Sequence, residues 1–162
     1  MFSQEQVEQI VDLLSTLDSS TKIYFGCDSV RTRRNGRWYA NFATVFIVHV
    51  NGKNGCRLFS HLSTEPDYDL KKDRPKMRMM TEVQKVCELY NQLIPFIDEF
   101  DIEIHLDINT DPKFGSNCAA KEAAGYVLGM TGLDESRIKL KPDSFAASFG
   151  ADAAAHGRFE KV

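Results

Sequence analysis

The sequence predicts an α/β fold in which a mixed five-stranded sheet carries helices on both faces. Three strand-like segments come first, separated by the pairs Asn35-Gly36 and Asn51-Gly52. Asn-Gly is typical of tight hairpin turns, so these three strands are expected to be antiparallel. Helical and strand-like segments then alternate, which is typical of parallel strands joined by helices.

The spacing of apolar residues places the elements of the first half of the chain. Residues 3–17 carry apolar side chains at helical spacing, and Ser3 and Gln6 are placed to form an N-terminal capping box. The charged stretch 65–74 is predicted to be an irregular loop. β-Branched and aromatic residues favour three strands, at 22–30, 37–50 and 57–64.

The second half begins with a long helix, predicted at 75–94 with Pro75 in its first turn. The apolar residues of this helix recur every three or four positions and predict its buried face: Met79, Val83, Val86, Leu89, Tyr90 and Leu93. The remaining predicted elements are a strand at 102–108, a helix at 117–129 capped by Ser116, a strand at 138–141, and a helix at 144–156 capped by Asp143 or Ser144.

The composition is typical of one globular domain, since 43 % of the 162 residues are apolar and 27 % are charged. We expect a single domain over 1–162, with an N-terminal helix within 1–20 and a core over 21–157. The net charge of −3 argues against a strongly basic nucleic-acid-binding protein, so any such contact would be local. The chain starts unlike a signal peptide, and its longest apolar stretch, 42–50, is too short to span a bilayer. A cytoplasmic protein with no membrane partner is therefore expected.

The cysteines do not have the spacing of a structural zinc site, because none belongs to a Cys-x-x-Cys pair. Buried free thiols in a reducing compartment are expected instead. The four cysteines are Cys27, Cys56, Cys87 and Cys118.

Four acidic residues lie among apolar or small residues: Asp28, Glu82, Asp107 and Asp152. Clustered carboxylates repel one another unless a divalent cation lies between them, and an isolated buried charge is costly. Two cations about 3.5–4 Å apart can hold a phosphodiester, one activating the attacking water and the other stabilising the leaving oxygen. Oxygen ligands favour Mg²⁺ or Mn²⁺ over zinc. The four acids therefore predict a catalytic site with two metal ions.

Each of these acids also has a simpler interpretation. Asp28 and Asp107 could be turn residues at the ends of their strands. Glu82 could be an exposed helix charge, and Glu88 competes with it for any role as a ligand. Asp152 could pair with His156 one helical turn later.

Taken together, these segments resemble the ribonuclease H-like superfamily, and more closely its YkuK-type family, over about residues 20–157. The resemblance implies the fold and assigns metal-binding and catalytic roles to the same four acids. Some proteins of this superfamily bind without catalysing a reaction, so the activity does not follow from the fold alone. The motifs are Gly26-Cys27-Asp28-Ser29, in which the family has threonine at the position of Cys27; Arg78-x-x-x-Glu82; His105-Leu106-Asp107-Ile108-Asn109; and Lys141-Pro142-Asp143-Ser144-Phe145-Ala146-Ala147-Ser148 followed by Ala151-Asp152.

Polar residues beside the acids could assist them. Ser29 and Asn109 follow the strand acids and could hold a water or a phosphate oxygen, although both are also ordinary turn residues. His156 could orient a ligand or shuttle a proton, whereas His105 is expected in the core. Two basic clusters border the site in the sequence. They could bind phosphates, with the tryptophan stacking on a base, or they could simply be solvated charge. The first cluster is Arg31, Arg33, Arg34, Arg37 and Trp38, and the second contains Lys71 and Lys72.

These observations predict a metal-dependent nuclease that hydrolyses phosphodiester bonds in RNA, DNA, a hybrid or branched nucleic acid. Two alternatives stay open. One is a non-catalytic module that binds nucleic acid or protein on the same fold. The other is an enzyme that acts on a small phosphorylated compound.

Overall fold

The computed structural model describes residues 1–52, 55–69, 76–109, 111, 113 and 120–151. Helices and strands follow one another in the predicted order. The helices are α1 (Gln4–Leu14), α2 (Lys76–Ile97), α3 (Ala120–Thr131) and a C-terminal π-helix (Ala146–Ala151). The strands are β1 (Lys22–Arg34), β2 (Arg37–His49), β3 (Cys56–Pro66), β4 (Asp101–Asn109) and β5 (Ile138–Lys141). Short 3₁₀ turns lie at Val50–Gly52 and Glu135–Arg137.

The five strands form one mixed sheet in the order β3-β2-β1-β4-β5. Strand β2 pairs antiparallel with β1 and β3, whereas β4 pairs parallel with β1 and β5. The predicted fold class is confirmed: hairpins form one half of the sheet and strands reached through helices form the other.

The hairpin of β1 and β2 is longer than predicted. Strand β1 continues past Val30 to Arg34, which lies opposite Arg37. Asn35 and Gly36 complete the turn with φ of 49° and 78°, the left-handed conformation of the tight hairpin turn that Asn-Gly favours. The last pair between β1 and β4 joins Gly26 and His105. Beyond this pair, β4 continues for four residues, whereas β1 continues for eight residues. At about 3.3 Å per residue, the hairpin tip therefore projects about 13 Å beyond β4.

Alternating residues of the central strands face opposite sides of the sheet. Phe25 and Cys27 of β1 pack in the main core with α2, α3 and α1. Tyr24 faces the other side and packs with Ala146 and Ala151 of the π-helix. Helices thus cover both faces, as predicted. All six residues expected on the apolar face of α2 are buried.

Several element ends differ from the prediction. The capping box of α1 is present, but the helix ends at Leu14 rather than at 17. The loop expected from residue 65 begins later, because Glu65 and Pro66 pair with β2 as the end of β3. Helix α2 continues beyond 94 to Ile97 with Pro95 inside it. The predicted last helix is a π-helix where it is described. Pro75, the proposed cap Ser116 and the positions after Ala151 lie outside the described residues.

Two of the cysteines confirm the prediction of buried free thiols, namely Cys27 and Cys87. The prediction is wrong for Cys56, which is free but exposed because it opens the edge strand β3. Cys118 lies outside the described residues. None of the described helices is long and apolar enough to cross a membrane.

Candidate active site

Two neighbouring parallel strands bring Asp28 and Asp107 to the same face of the sheet. Gly26 of β1 lies opposite His105 of β4, and each acid follows two residues later on its strand. Because a strand repeats every two residues, the acids share the face on which Tyr24 and His105 are in ring contact at 5.1 Å. The pairing of the two strands ends at Gly26 and His105, so both acids lie just beyond the last paired residues.

Glu82 approaches from helix α2, which packs against the opposite face of the sheet, the face of Phe25 and Cys27. Its side chain is buried, and its Oε1 accepts a hydrogen bond of 2.6 Å from Oγ of Ser29. The backbone N–H of Ser29 donates to Oδ1 of Asp28 at 2.8 Å. Ser29 therefore links the strand acid to the helix acid. Glu88 is exposed and accepts from Gln84 at 3.4 Å, so Glu82 is the helix acid that lies beside the strand acids.

The three carboxylates interact electrostatically. Burial raises the pKa of Glu82 well above its ordinary value, and the negative charges of Asp28 and Asp107 raise it further. The hydrogen bond from Ser29 and the charge of Arg78 act in the opposite direction. Arg78 lies one helical turn before Glu82, and its Nη1 donates to the carbonyl of Ser29 at 3.4 Å. The pair was visible in the sequence as Arg-x-x-x-Glu, a spacing that places both on one helix face.

Lys141 contacts Asp107, a relationship that the sequence did not suggest. Its Nζ lies 2.8 Å from Oδ1 of Asp107. Strand pairing explains the contact, since Lys141 of β5 lies opposite Asn109 of β4. The side chain of Asn109 accepts from the backbone N–H of Asp111 at 2.8 Å. Asn109 therefore bonds the backbone of Asp111, a contact typical of an ordinary turn residue.

The chemistry of the donor set fits Mg²⁺ or Mn²⁺, because three carboxylates supply only hard oxygen ligands and their repulsion would be relieved by a cation. Within the part of the chain that is described, however, no group of three or more His, Cys, Asp or Glu side chains is placed to hold a metal ion, and this includes the set of Asp28, Glu82 and Asp107. Asp152 and His156 lie outside the described residues, as do Lys71 and Lys72. The four-acid metal site therefore stays a prediction.

His105 is a core residue, as expected. Its Nδ1 accepts from the backbone N–H of Ala146 at 3.1 Å, and its Nε2 lies 2.9 Å from Oε1 of Glu103. The ring also makes an edge contact with Phe145, with centroids 4.6 Å apart. Burial lowers the pKa of His105, outweighing the opposite effect of Glu103. The neutral imidazole, with its proton on Nε2, ties β4 to the start of the π-helix.

The first basic cluster divides into two parts. Nε of Arg31 forms a 2.6 Å ion pair with Oδ2 of Asp67, and the Arg31 guanidinium lies 4.1 Å from the centre of the Trp38 ring. By contrast, Arg33, Arg34 and Arg37 near the hairpin tip form no ion pair with another residue in the described ranges. These three side chains leave positive charge available at the tip.

The structure thus defines a class of α/β protein in which acids on two neighbouring parallel strands act electrostatically on a buried acid from a helix. A sequence profile described as ribonuclease H-like matches residues 5–156. The chain therefore belongs to the ribonuclease H-like family, as the sequence motifs implied, and the match is compatible with the YkuK-type branch. No curated protein and no solved structure matches the chain.

Proposed function

We propose that this protein is a metal-dependent nuclease that hydrolyses phosphodiester bonds in nucleic acid with the help of two Mg²⁺ or Mn²⁺ ions. The family supports a nuclease-type or nucleic-acid-binding fold. The observation that carries the proposal is the burial of Glu82, which is 4 % exposed, within electrostatic range of Asp28 and Asp107. A perturbed acid among like charges is typical of a functional site.

Each residue has a proposed role. Asp28 and Asp107 would hold cations from adjacent strands, and Glu82 would hold one from the helix. Asp152, which directly follows the last described residue of the π-helix, is proposed as the fourth ligand. Bound cations would activate the attacking water and neutralise charge on the phosphate. Ser29 would hold the Glu82 carboxylate in place through its 2.6 Å hydrogen bond.

One observation favours a second candidate, a non-catalytic ribonuclease H-like binding module. Lys141 already neutralises Asp107 through an ion pair of 2.8 Å, with the two side chains 37 % and 16 % exposed. In such a module the ion pair would replace the cation, and nucleic acid or protein would bind elsewhere on the fold.

A nuclease assay separates the two candidates. Labelled single-stranded, duplex, hybrid and branched RNA and DNA would be incubated with Mg²⁺ or Mn²⁺ and the wild-type protein, or with Asp28→Asn or Asp107→Asn. Loss of a group that stabilises transition-state charge costs about 100-fold or more, so both variants should lose at least that factor. Glu88→Gln changes an exposed acid on the same helix as Glu82 and should keep full activity.

Calorimetry with Mn²⁺ gives the second readout. The nuclease should bind Mn²⁺ at or below millimolar concentration, and Asp28→Asn should weaken this binding. If cleavage is the same in the wild type and in both aspartate variants, the proposed site is wrong. If no Mn²⁺ binds even at millimolar concentration, the protein is a non-catalytic binding module rather than a nuclease.

A further inference from the structure

Two adjoining cavities lie between the β1–β2 hairpin, the end of β3 and the start of α2. Pro66, Asp67 and Tyr68 line both of them. The cavity nearer the hairpin tip has a volume of about 400 Å³ and includes Trp38 in its wall. The other has a volume of about 310 Å³ and includes Arg78, the residue bonded to the Ser29 carbonyl. Both volumes are in the range of pockets that hold small organic groups.

The walls of the outer cavity are aromatic. Trp38 is 40 % exposed and Tyr68 is 71 % exposed, which is unusual for such large side chains. A flat ring with polar edges fits between two aromatic side chains better than an aliphatic group does. Nucleobases are such rings, and stacking on an aromatic side chain strengthens binding by about 5- to 150-fold per base.

The aromatic platform is held in place by the protein itself. Arg31 lies over the Trp38 ring while its Nε is paired with Asp67 at 2.6 Å and its Nη2 donates to the carbonyl of Asp69 at 3.4 Å. The Asp67 carboxylate is only 1 % exposed. The backbone N–H of Asp67 also donates to the carbonyl of Trp38 at 3.0 Å. Because these contacts restrain Trp38, a ligand that stacks on its ring would lose little entropy in ordering it.

The surroundings of the cavities suit an anion. Arg33, Arg34 and Arg37 lie at the hairpin tip and pair with no carboxylate in the described ranges, although the chain as a whole has a net charge of −3. In the inner cavity, the buried Nε of Arg78 has no hydrogen-bond partner among the described residues. A buried donor without a partner is costly, and a phosphate oxygen or the acceptor edge of a base would satisfy it.

We propose that this cleft binds an unpaired segment of nucleic acid, with a base stacked between Trp38 and Tyr68 and the backbone phosphates on Arg33, Arg34 and Arg37. The inference rests on the proposed nuclease function and names its substrate as single-stranded or locally unpaired nucleic acid. A base within a duplex is stacked on its neighbours and cannot enter between two side chains. Arg33, Arg31 and Ser29 lie on one side of β1, because each is two residues from the next. A nucleic-acid strand that follows this side of β1 would run about 13 Å from Arg33 to Ser29, which is hydrogen-bonded to Glu82.

Tryptophan fluorescence tests the proposal directly, because Trp38 is the only tryptophan in the chain. Short single-stranded oligonucleotides and duplexes of the same sequence would be titrated in EDTA, where binding is measured without cleavage. Single strands should quench the emission of Trp38 and bind at least about tenfold more tightly than duplexes, given the stacking contribution of each base. Trp38→Ala and Tyr68→Ala should each weaken single-strand binding by about 5- to 150-fold. The fluorescence anisotropy of a labelled oligonucleotide measures this binding.

Matched controls separate the cleft from the rest of the surface. Phe96→Ala removes another exposed aromatic ring, at the distant end of α2, and should leave the affinity unchanged. Arg33→Ala should lower the slope of log affinity against log salt by about one. Arg57→Ala, at the opposite end of the sheet from the hairpin tip, should not change the slope.

Equal affinity for duplex and single strand would overturn the proposal, as would oligonucleotide binding that leaves the emission of Trp38 unchanged. Full cleavage of single strands by both Trp38→Ala and Tyr68→Ala would also overturn the proposed cleft. That result would not contradict the proposed nuclease function. Conversely, Trp38 quenching by single strands in a protein that never cleaves them would support the cleft and contradict the proposed catalysis.

Discussion

Ser29 donates a hydrogen bond of 2.6 Å to Glu82 and thereby joins the central strand β1 to the helix α2. The two residues are 53 positions apart in the chain, and Asp28 directly precedes the serine. The bond lies in a buried environment where a carboxylate is costly unless hydrogen bonds or positive charge compensate it. One hydroxyl and the nearby Arg78 provide part of that compensation. The rest would come from a divalent cation in the proposed nuclease, so Glu82 should destabilise the metal-free protein.

Glu82→Gln should stabilise the metal-free protein at neutral pH. The amide keeps an acceptor for Ser29 and removes the charge that repels Asp28 and Asp107. The pKa of Glu82 is raised above its ordinary 4.5, so the folded state holds its proton to higher pH than the unfolded state. Stability of the wild type therefore falls as pH rises from about 4.5 through the raised pKa, and the substitution removes that loss. The gain in the free energy of unfolding should therefore increase as the pH rises from about 4.5.

Urea unfolding in EDTA across this pH range measures the effect. Glu88→Gln is the matched control on the same helix, and as a change to an exposed residue it should alter stability by less than about 0.5 kcal/mol. A lower stability of Glu82→Gln, or an unchanged pH slope, would show that the carboxylate is compensated within the protein.

His105 should make the folded protein less stable in acid. Its pKa is lowered from 6.5 by burial, so the unfolded chain takes up a proton at a pH where the folded imidazole stays neutral. Its contribution to stability is complete above about pH 6.5 and is lost as pH falls below that value toward the lowered pKa. Protonation would also break the 3.1 Å bond that Nδ1 accepts from Ala146.

The contribution of His105 is isolated by subtracting the stability of His105→Leu from that of the wild type at each pH. At neutral pH the variant should lose about 1–3 kcal/mol, because the Ala146 N–H and Glu103 lose a buried partner. The difference should shrink as the pH is lowered, since other groups titrate equally in both proteins. An NMR titration in which the His105 ring protonates near its ordinary pKa would contradict the prediction.

The core of this fold could be predicted because apolar spacing alone identifies it. The six buried residues of α2 recur every three or four positions, and Asn35-Gly36 has the side chains that a left-handed turn requires. The length of the hairpin was not predictable in this way. Arg31 to Arg34 are polar on both sides of the strand, so no alternation distinguishes them from a loop.

The candidate site likewise contains residues that the sequence identifies and contacts that it does not. Asp28 and Asp107 could be selected because each is an acid within an apolar strand, and their places just beyond the last parallel pair follow from the pairing of β1 with β4. The contacts of Lys141 with Asp107 and of Arg31 with Asp67 depend on strand register and on side-chain direction across elements. Local propensity carries no information about either. The π-helix was missed because its six residues, mostly alanine and glycine, are too few and too small to show a period that differs from that of an α-helix.

Asp67→Ala should loosen the aromatic platform. The substitution removes the partner of Arg31, whose side chain is 17 % exposed, and so leaves a largely buried guanidinium without its carboxylate. The expected loss of stability is about 1–3 kcal/mol. Trp38 emission should shift toward the red as its ring becomes more exposed. Asp12→Ala, an acid on the surface of α1, is the control; a blue shift or no shift in Asp67→Ala would show that Arg31 does not restrain the ring.

Lys141→Met should strengthen the binding of Mn²⁺ in the proposed nuclease. The lysine ammonium occupies an oxygen of Asp107 at 2.8 Å and must release it before a cation can bind there. A partly exposed ion pair contributes up to about 1 kcal/mol, so removing the competitor should raise the affinity for Mn²⁺ by up to about fivefold. Calorimetry at neutral pH measures the change. Lys139→Met alters a lysine on the same strand that pairs with no carboxylate in the described ranges, and it should leave the affinity unchanged. Weaker Mn²⁺ binding by Lys141→Met would mean that the ammonium orders Asp107 for the metal rather than competing with it.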